Sequence, residues 1–445
     1  MTFVEAYNTT MKLKHTHRIL FIIILVLSCF LSQAQTKSIQ NPHTLTYGDA
    51  SQVGISEERL ARIDSMCLQA IKDGNLPGVV ALVARNGKII YHKAFGTADA
   101  KTQRALKKDA IFRLASQSKA ITATAIMMLW EKGKFQLDDP ISKYIPEFKN
   151  PQVLDSVLGD GTFTTKPADK EISIRHLLTH TSGIGYGVID GDDRFKKIYK
   201  DARIIDLFTT EKISIADNIK KLAPLPLHHN PGDEFTYSES YDVLGFLIEI
   251  ISGENFDTYL QTHIFEPLEM NNTAFYLPKS KEDRLVSVQT KEDGKWINYP
   301  TTFYDPNYPI KGARTFFSGG AGLSSTAEDY AKFLQMYLNN GELNGIRLLS
   351  RKTIEMIMSN QIGELWGKDP KEFYGLAFKV QSEKGEGFGG NGSSGTFSWG
   401  GYFNTQYFAD PKEQTIGILL KQTQKIKSDD TSWKFSILIG QSIDD

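Results

Sequence analysis

The chain has 445 residues, 40% of them hydrophobic and 23% charged, with a formal net charge of −1. This is the composition of an ordinary globular protein with enough apolar residues for one large or two interleaved domains. It excludes a disordered polyelectrolyte and gives nucleic acid no electrostatic foothold.

The first 34 residues read as an export signal. Lys12, Lys14 and Arg18 precede the apolar run 19–31, and Ser32-Gln33-Ala34 has the small-x-small form of a cleavage site. The run is too short for a comfortable membrane span, so no stable span is expected once it is removed. Cleavage after Ala34 places the mature chain in the periplasm or outside the cell, with a lipid anchor on Cys29 as the alternative. It also leaves Cys67 alone, so no internal disulfide is available.

After a polar lead over 35–55, residues 56–71 read as an amphipathic helix. Two alternating, β-rich runs then flank Arg85-Asn86-Gly87, a strong hairpin signal. Next comes Leu-Ala-Ser-Gln-Ser-Lys over 114–119, opening a helix with no charged side chain from Ala120 to Trp130 and a glycine stop at Gly133. Ser116 and Lys119, three apart, share one face at the helix N-terminus, where backbone N–H groups favour developing negative charge. Burial would lower the lysine pKa and make it a base for the serine proton. A capping serine and a snorkelling lysine are the bland reading of the same four residues.

From 136 to 337 the chain turns mainly helical, with long polar loops over 151–170 and 280–316. Tyr237 stands in Pro-Gly-Asp-Glu-Phe-Thr-Tyr-Ser-Glu-Ser, just before a helix over 241–252 that Gly253 ends. A tyrosine at a helix start beside a lysine can shuttle a proton; a packed core tyrosine is the alternative. The last part returns to strands over 374–380, 396–403, 405–409 and 415–421, followed by a helix over 433–439. Two of these strand residues are Gly400 and Gly401, after Trp399, where a ligand or a backbone must approach closely or the strand bends. The glycine-rich stretch 385–395 reads as a flexible turn. Strands at both ends with helices between them suggest one α/β domain from 56–135 and 338–445 and an inserted helical domain from 136–337.

Taken in order, these pieces resemble the serine β-lactamase and penicillin-binding protein superfamily, in particular class C-like β-lactamases and the carboxylesterases that share their fold. The resemblance runs from about residue 56 to 423. It rests on Phe-Arg-Leu-Ala-Ser-Gln-Ser-Lys (112–119), Ile-Arg-His-Leu-Leu-Thr-His-Thr-Ser-Gly (174–183), Pro231-Gly232 leading to Tyr237-Ser238, Phe-Glu-Pro-Leu-Glu-Met (265–270) and Gly-Gly-Ala-Gly-Leu-Ser-Ser-Thr (319–326). It implies an antiparallel sheet flanked by helices, an acyl-enzyme on Ser116, Lys119 as base or as the cation that tunes Tyr237, and Tyr237 as proton relay. It also implies an oxyanion hole from the backbone N–H groups of Ser116 and Tyr402.

Two departures bear on substrate. No Lys-[Ser/Thr]-Gly occurs in the chain, and Trp399 stands where that lysine would attract a carboxylate. Glu239 occupies the place of the asparagine in Tyr-x-Asn; an ionised acid there would repel an anion, unless it is merely a solvated helix-start acid. With Trp399, Gly400, Gly401 and Glu239 at the substrate, neutral carboxylic esters are the expected class. The alternatives are a β-lactamase or D-alanyl peptidase acting on cell-wall peptides, and a non-catalytic binding protein on the same fold. His176 and His180, four apart, and the exposed-looking His228-His229 pair have no ligand spacing around them. No metal or cofactor motif is present, so none is expected. Oligomeric state is not readable.

Overall fold

The computed structural model describes residues 36–37, 43–159, 161–367, 371–386, 392–426 and 429–445. The expected export signal, with Cys29, and the middle of the 385–395 stretch lie outside the described residues. Among the described residues no helix is long and apolar enough to cross a membrane.

A nine-stranded sheet organises the chain. Its main strands are β1 (Thr46–Tyr47), β2 (Gly78–Arg85), β3 (Lys88–Asp99), β4 (Glu372–Tyr374), β5 (Lys379–Gln381), β6 (Phe397–Gly401), β7 (Thr405–Asp410) and β8 (Thr415–Leu420). The spatial order is β4-β5-β6-β7-β8-β2-β3-β1, with Arg104–Ala105 paired on β3. Every pairing along this path is antiparallel except β1 on β3. The chain's two ends therefore meet at β8 and β2. The hairpin read at Asn86-Gly87 forms because both residues take positive φ, +49° and +73°.

β2 is buried along its whole length because both of its faces are covered. Val80, Leu82 and Ala84 face the large inner core, whereas Val79, Ala81 and Val83 face a smaller outer core. The outer core is closed by α1 (Arg62–Lys72) and α5 (Thr431–Gly440). On the inner face lie α2 (Ser118–Glu131), α3 (Ser240–Ser252) and α4 (Ala327–Leu338), α4 packing directly on β2 and β8. One continuous hydrophobic cluster joins the inner face of the sheet to the helices of residues 136–337.

Three sequence expectations change. The run 374–380 is not one strand but the hairpin β4–β5. Gly375 donates to the Phe378 carbonyl, Ala377 takes φ +77°, and a Cβ on Gly375 would lie 2.2 Å from the Ile357 carbonyl. The loop 151–170 contains the hairpin Gln152–Val157/Phe163–Pro167, and 280–316 contains Gln289–Glu292/Lys295–Asn298. The second turns at Asp293-Gly294, both at positive φ, a hairpin dipeptide that the polar surroundings conceal.

Candidate active site

Ser116 lies in a single 3₁₀ turn, Ala115–Gln117, that leads straight into α2. Ala115 is held at φ +47°, a left-handed conformation that costs an alanine about 1–2 kcal/mol. Flanking bonds fix the turn: Leu114 donates to the Leu323 carbonyl, and Leu323 donates to Ser118 Oγ. The end of β6 presses on the same turn, since a Cβ on Gly401 would sit 2.3 Å from the Leu114 carbonyl oxygen. Close backbone approach is therefore why Gly401 is a glycine.

Lys119 is buried at 1% exposure. Its Nζ lies 3.4 Å from Ser116 Oγ, 2.9 Å from the Gly320 carbonyl and 3.1 Å from the Tyr186 hydroxyl. It also lies over the ring of Tyr237, 4.6 Å from the centroid. Among the described residues no carboxylate reaches ion-pair distance of it. An acid is relayed to it through one residue: Gly320 accepts from Lys119 with its carbonyl and donates its N–H to Asp242 at 2.8 Å. Burial pushes the Asp242 carboxyl up to about 6 against the hydrogen bonds from Gly320 and Ser318 that favour its charged form.

Trp399 Nε1 donates to the Tyr237 hydroxyl at 3.4 Å, and the His180 ring packs at a tilt against Tyr237, ring centroids 4.4 Å apart. His180 sits past the end of the short helix Ile174–Leu178, with Nδ1 3.0 Å from Ser238 Oγ. Burial and then Lys119 push its pKa well down, so it is a neutral buttress, off the helix of His176. His228 and His229 are not exposed. His228 pairs with Asp190 at 3.1 Å, and His229 bonds Thr236 Oγ1 at 2.9 Å. No cluster of His, Cys, Asp or Glu among the described residues is arranged to hold a metal.

Glu239 is neither solvated nor presented to the cleft. It is 1% exposed, directly before α3. Burial, and next the neighbouring Asp206 carboxylate, push its pKa well above the usual carboxylate range. Asp206 accepts the backbone N–H groups of Gly187 and Val188, and Asp190 accepts that of Tyr186 at 2.7 Å. These acids thus brace the loop that carries Tyr186. Sequence reasoning missed Tyr186, Asp242 and Gly320; the run Gly183-Ile-Gly-Tyr-Gly187, a tyrosine between glycines, was the available signal.

A cleft of about 700 Å3 opens from Ser116. Tyr237, Trp366 and Trp399 line its near wall, and behind them Tyr374 stacks on Trp366 and meets Trp399 edge-on. Two charged residues line the described cleft, Glu372 and Lys379, and they pair with each other at 2.7 Å. Tyr402 follows β6 directly and half-buries its ring against Phe403 and Phe208.

Helix-flanked antiparallel sheet and a serine-lysine pair at its inner edge together define the serine β-lactamase fold class. The chain belongs to the Beta-lactamase family, whose family model matches residues 63–441. It is 29% identical over 383 residues to Esterase EstB of Burkholderia gladioli, covering 82% of this chain and 90% of that one. It is 30% identical over 366 residues to Protein Rv1367c of Mycobacterium tuberculosis, covering 78% and 86%. Among solved structures it resembles EstCE1, a hydrolase with promiscuous acyltransferase activity, with TM-score 0.70, 26% identity, and coverage of 86% and 98%.

Proposed function

We infer that this chain is an exported serine hydrolase that cleaves neutral carboxylic esters through an acyl-enzyme on Ser116. The observation that carries this reading is the buried Lys119 Nζ 3.4 Å from Ser116 Oγ, at the end of an aromatic cleft whose charged groups cancel each other. The names of EstB and EstCE1 agree with it.

Ser116 Oγ attacks the ester carbonyl as its proton passes to the Lys119–Tyr237 pair. The backbone N–H groups of Ser116 and Tyr402 are the donors for the oxyanion; such a donor is worth about 3–4 kcal/mol in the transition state. Tyr237 returns the proton to the departing alkoxide, and water then cleaves the acyl-enzyme by the same steps in reverse. Trp399, with Gly400 and Gly401, offers the substrate an apolar ring and open backbone in place of a cation.

The test is a paired rate measurement on p-nitrophenyl butyrate and nitrocefin, each repeated with Ser116→Ala. Ester turnover that vanishes with Ser116, with nitrocefin nearly untouched, is expected. Efficient nitrocefin turnover would favour a β-lactamase or cell-wall peptidase. Ester turnover unchanged by Ser116→Ala would overturn the assignment.

A further inference from the structure

The cleft is larger than a short ester needs, and it does not stop at the aromatic wall. Side chains alternate along β6 and β7, so Trp399 and Tyr407 face inward while Ser398, Gly400, Gln406 and Phe408 face the outer side of the sheet. The same cavity runs past Gly400 onto that outer side, as far as Trp433 and Ser436 on α5. The outer helix α5 buries Phe435 and Ile439 against the sheet, but it leaves Trp433 55% exposed at the rim. β5 reaches β6 only at Phe397 and Ser398, so nothing in the sheet closes the passage at Trp399–Gly401.

The chemistry of this outer lobe is specific. It offers two aromatic surfaces, Trp433 and Phe408, beside hydrogen-bonding groups on Gln406, Ser398 and Ser436, and the self-paired Glu372 and Lys379 lie on the same face, because Lys379 is opposite Ser398. Gln406 Oε1 is buried and has no hydrogen-bond partner among the described residues. Gly417 makes room for the Phe408 ring, which a Cβ there would meet at 2.3 Å. β6 and β7 are paired with each other from Phe397 to Gly401, so the floor between them presents side chains, and the strand edge that could read a peptide main chain is confined to Trp399–Gly401 beside Ser116. A ring with apolar faces and a hydroxyl periphery satisfies the aromatic faces and the orphan amide together.

We propose that the outer lobe is a sugar subsite, in which Trp433 stacks on a pyranose ring and Gln406 bonds its hydroxyls while an acyl group on that glycan reaches Ser116. The proposal rests on Ser116 as nucleophile only for its catalytic part. The acyl carbonyl passes from the sugar oxygen to Ser116 Oγ, the sugar leaves as the free alcohol carrying the proton, and water then releases the carboxylic acid.

Two measurements test it. The first is kinetics on 6-O-acetylcellobiose, p-nitrophenyl acetate and the methyl ester of N-acetyl-alanyl-alanine, with wild type, Trp433→Ala, Trp433→Phe and Gln406→Ala. Trp433→Ala should raise KM for the acetylated disaccharide about tenfold and leave kcat/KM for p-nitrophenyl acetate within about twofold, with Trp433→Phe restoring most of the loss. Equal losses on both esters, or a loss confined to the peptide ester, would overturn the sugar assignment. The second is calorimetric titration of cellotetraose into Ser116→Ala protein, with and without Trp433→Ala. Binding that depends on Trp433 is expected even if Ser116 proves not to be the nucleophile; no binding to the Trp433-intact protein overturns the subsite and leaves the esterase reading standing.

Discussion

Lys119 donates to the hydroxyl of Tyr186 at 3.1 Å while it meets Tyr237 through the ring face, 4.6 Å from the centroid. The lysine is thus held by one phenol edge-on and by another face-on. Replacing Tyr186 by Phe removes one charge-assisted bond from a buried ammonium and leaves the aromatic wall intact. Ester kcat should fall roughly 10- to 100-fold with KM little changed. A kcat equal to wild type in Tyr186→Phe would reduce Tyr186 to a piece of wall.

Gly400 and Gly401 are adjacent but not equivalent. A Cβ on Gly401 would meet the Leu114 carbonyl and Thr405 Oγ1, each at 2.3 Å, whereas on Gly400 its nearest neighbour is the Thr405 carbonyl at 3.3 Å. Gly401→Ala should destabilise the protein by about 1–3 kcal/mol and lower kcat by shifting the turn that carries Ser116. Gly400→Ala should change stability by less than about 1 kcal/mol. Urea unfolding of the two variants side by side decides it.

Asp242 binds its proton more tightly in the folded protein than in the unfolded chain, because burial raises its pKa to about 6. A folded state that holds the extra proton loses stability as pH rises, here between the ordinary carboxylate value and about 6, and the loss is complete above that. Asp242→Asn keeps an acceptor for Gly320 and Ser318 and removes the titration. The stability of wild type relative to this variant should fall on the order of 3 kcal/mol between pH 4 and pH 7. Measuring the difference cancels the buried histidines, His176 and His180, whose lowered pKa values give the opposite slope. A pH-independent difference counts against a titrating Asp242.

Trp366 closes the aromatic wall, with its ring 6.2 Å from Trp399 and 5.0 Å from Phe235. Trp366→Ala should raise KM for 1-naphthyl butyrate about tenfold and for methyl butyrate hardly at all. Parallel changes for the two esters would show that the ring supports the loop and does not contact substrate.

Much of this architecture could be read along the chain. Local chemistry was enough for the hairpin at Asn86-Gly87, the buried helix ending at Gly133 and the helix ending at Gly253, because apolar periodicity and a left-handed stop act within a few residues. The β4–β5 hairpin was not legible, since Ala377 carries no turn signal and the bend answers to the distant Ile357 carbonyl.

For the site the same division holds. The sequence by itself determined that Ser116 and Lys119 share a face, because four consecutive residues at a helix start leave them little choice. It also determined that no lysine stands at position 399. Only the tertiary structure decided which groups surround that lysine. Tyr186 reaches it from 67 residues away and Gly320 from 201. Tertiary structure also decided that Glu239, polar and next to a helix start, is buried against Asp206 and faces neither solvent nor substrate. The reason is the range of the forces involved. Helix periodicity is fixed by neighbours in sequence, whereas the protonation of a carboxyl and the partner of an ammonium depend on desolvation and on charges brought together only when the core closes.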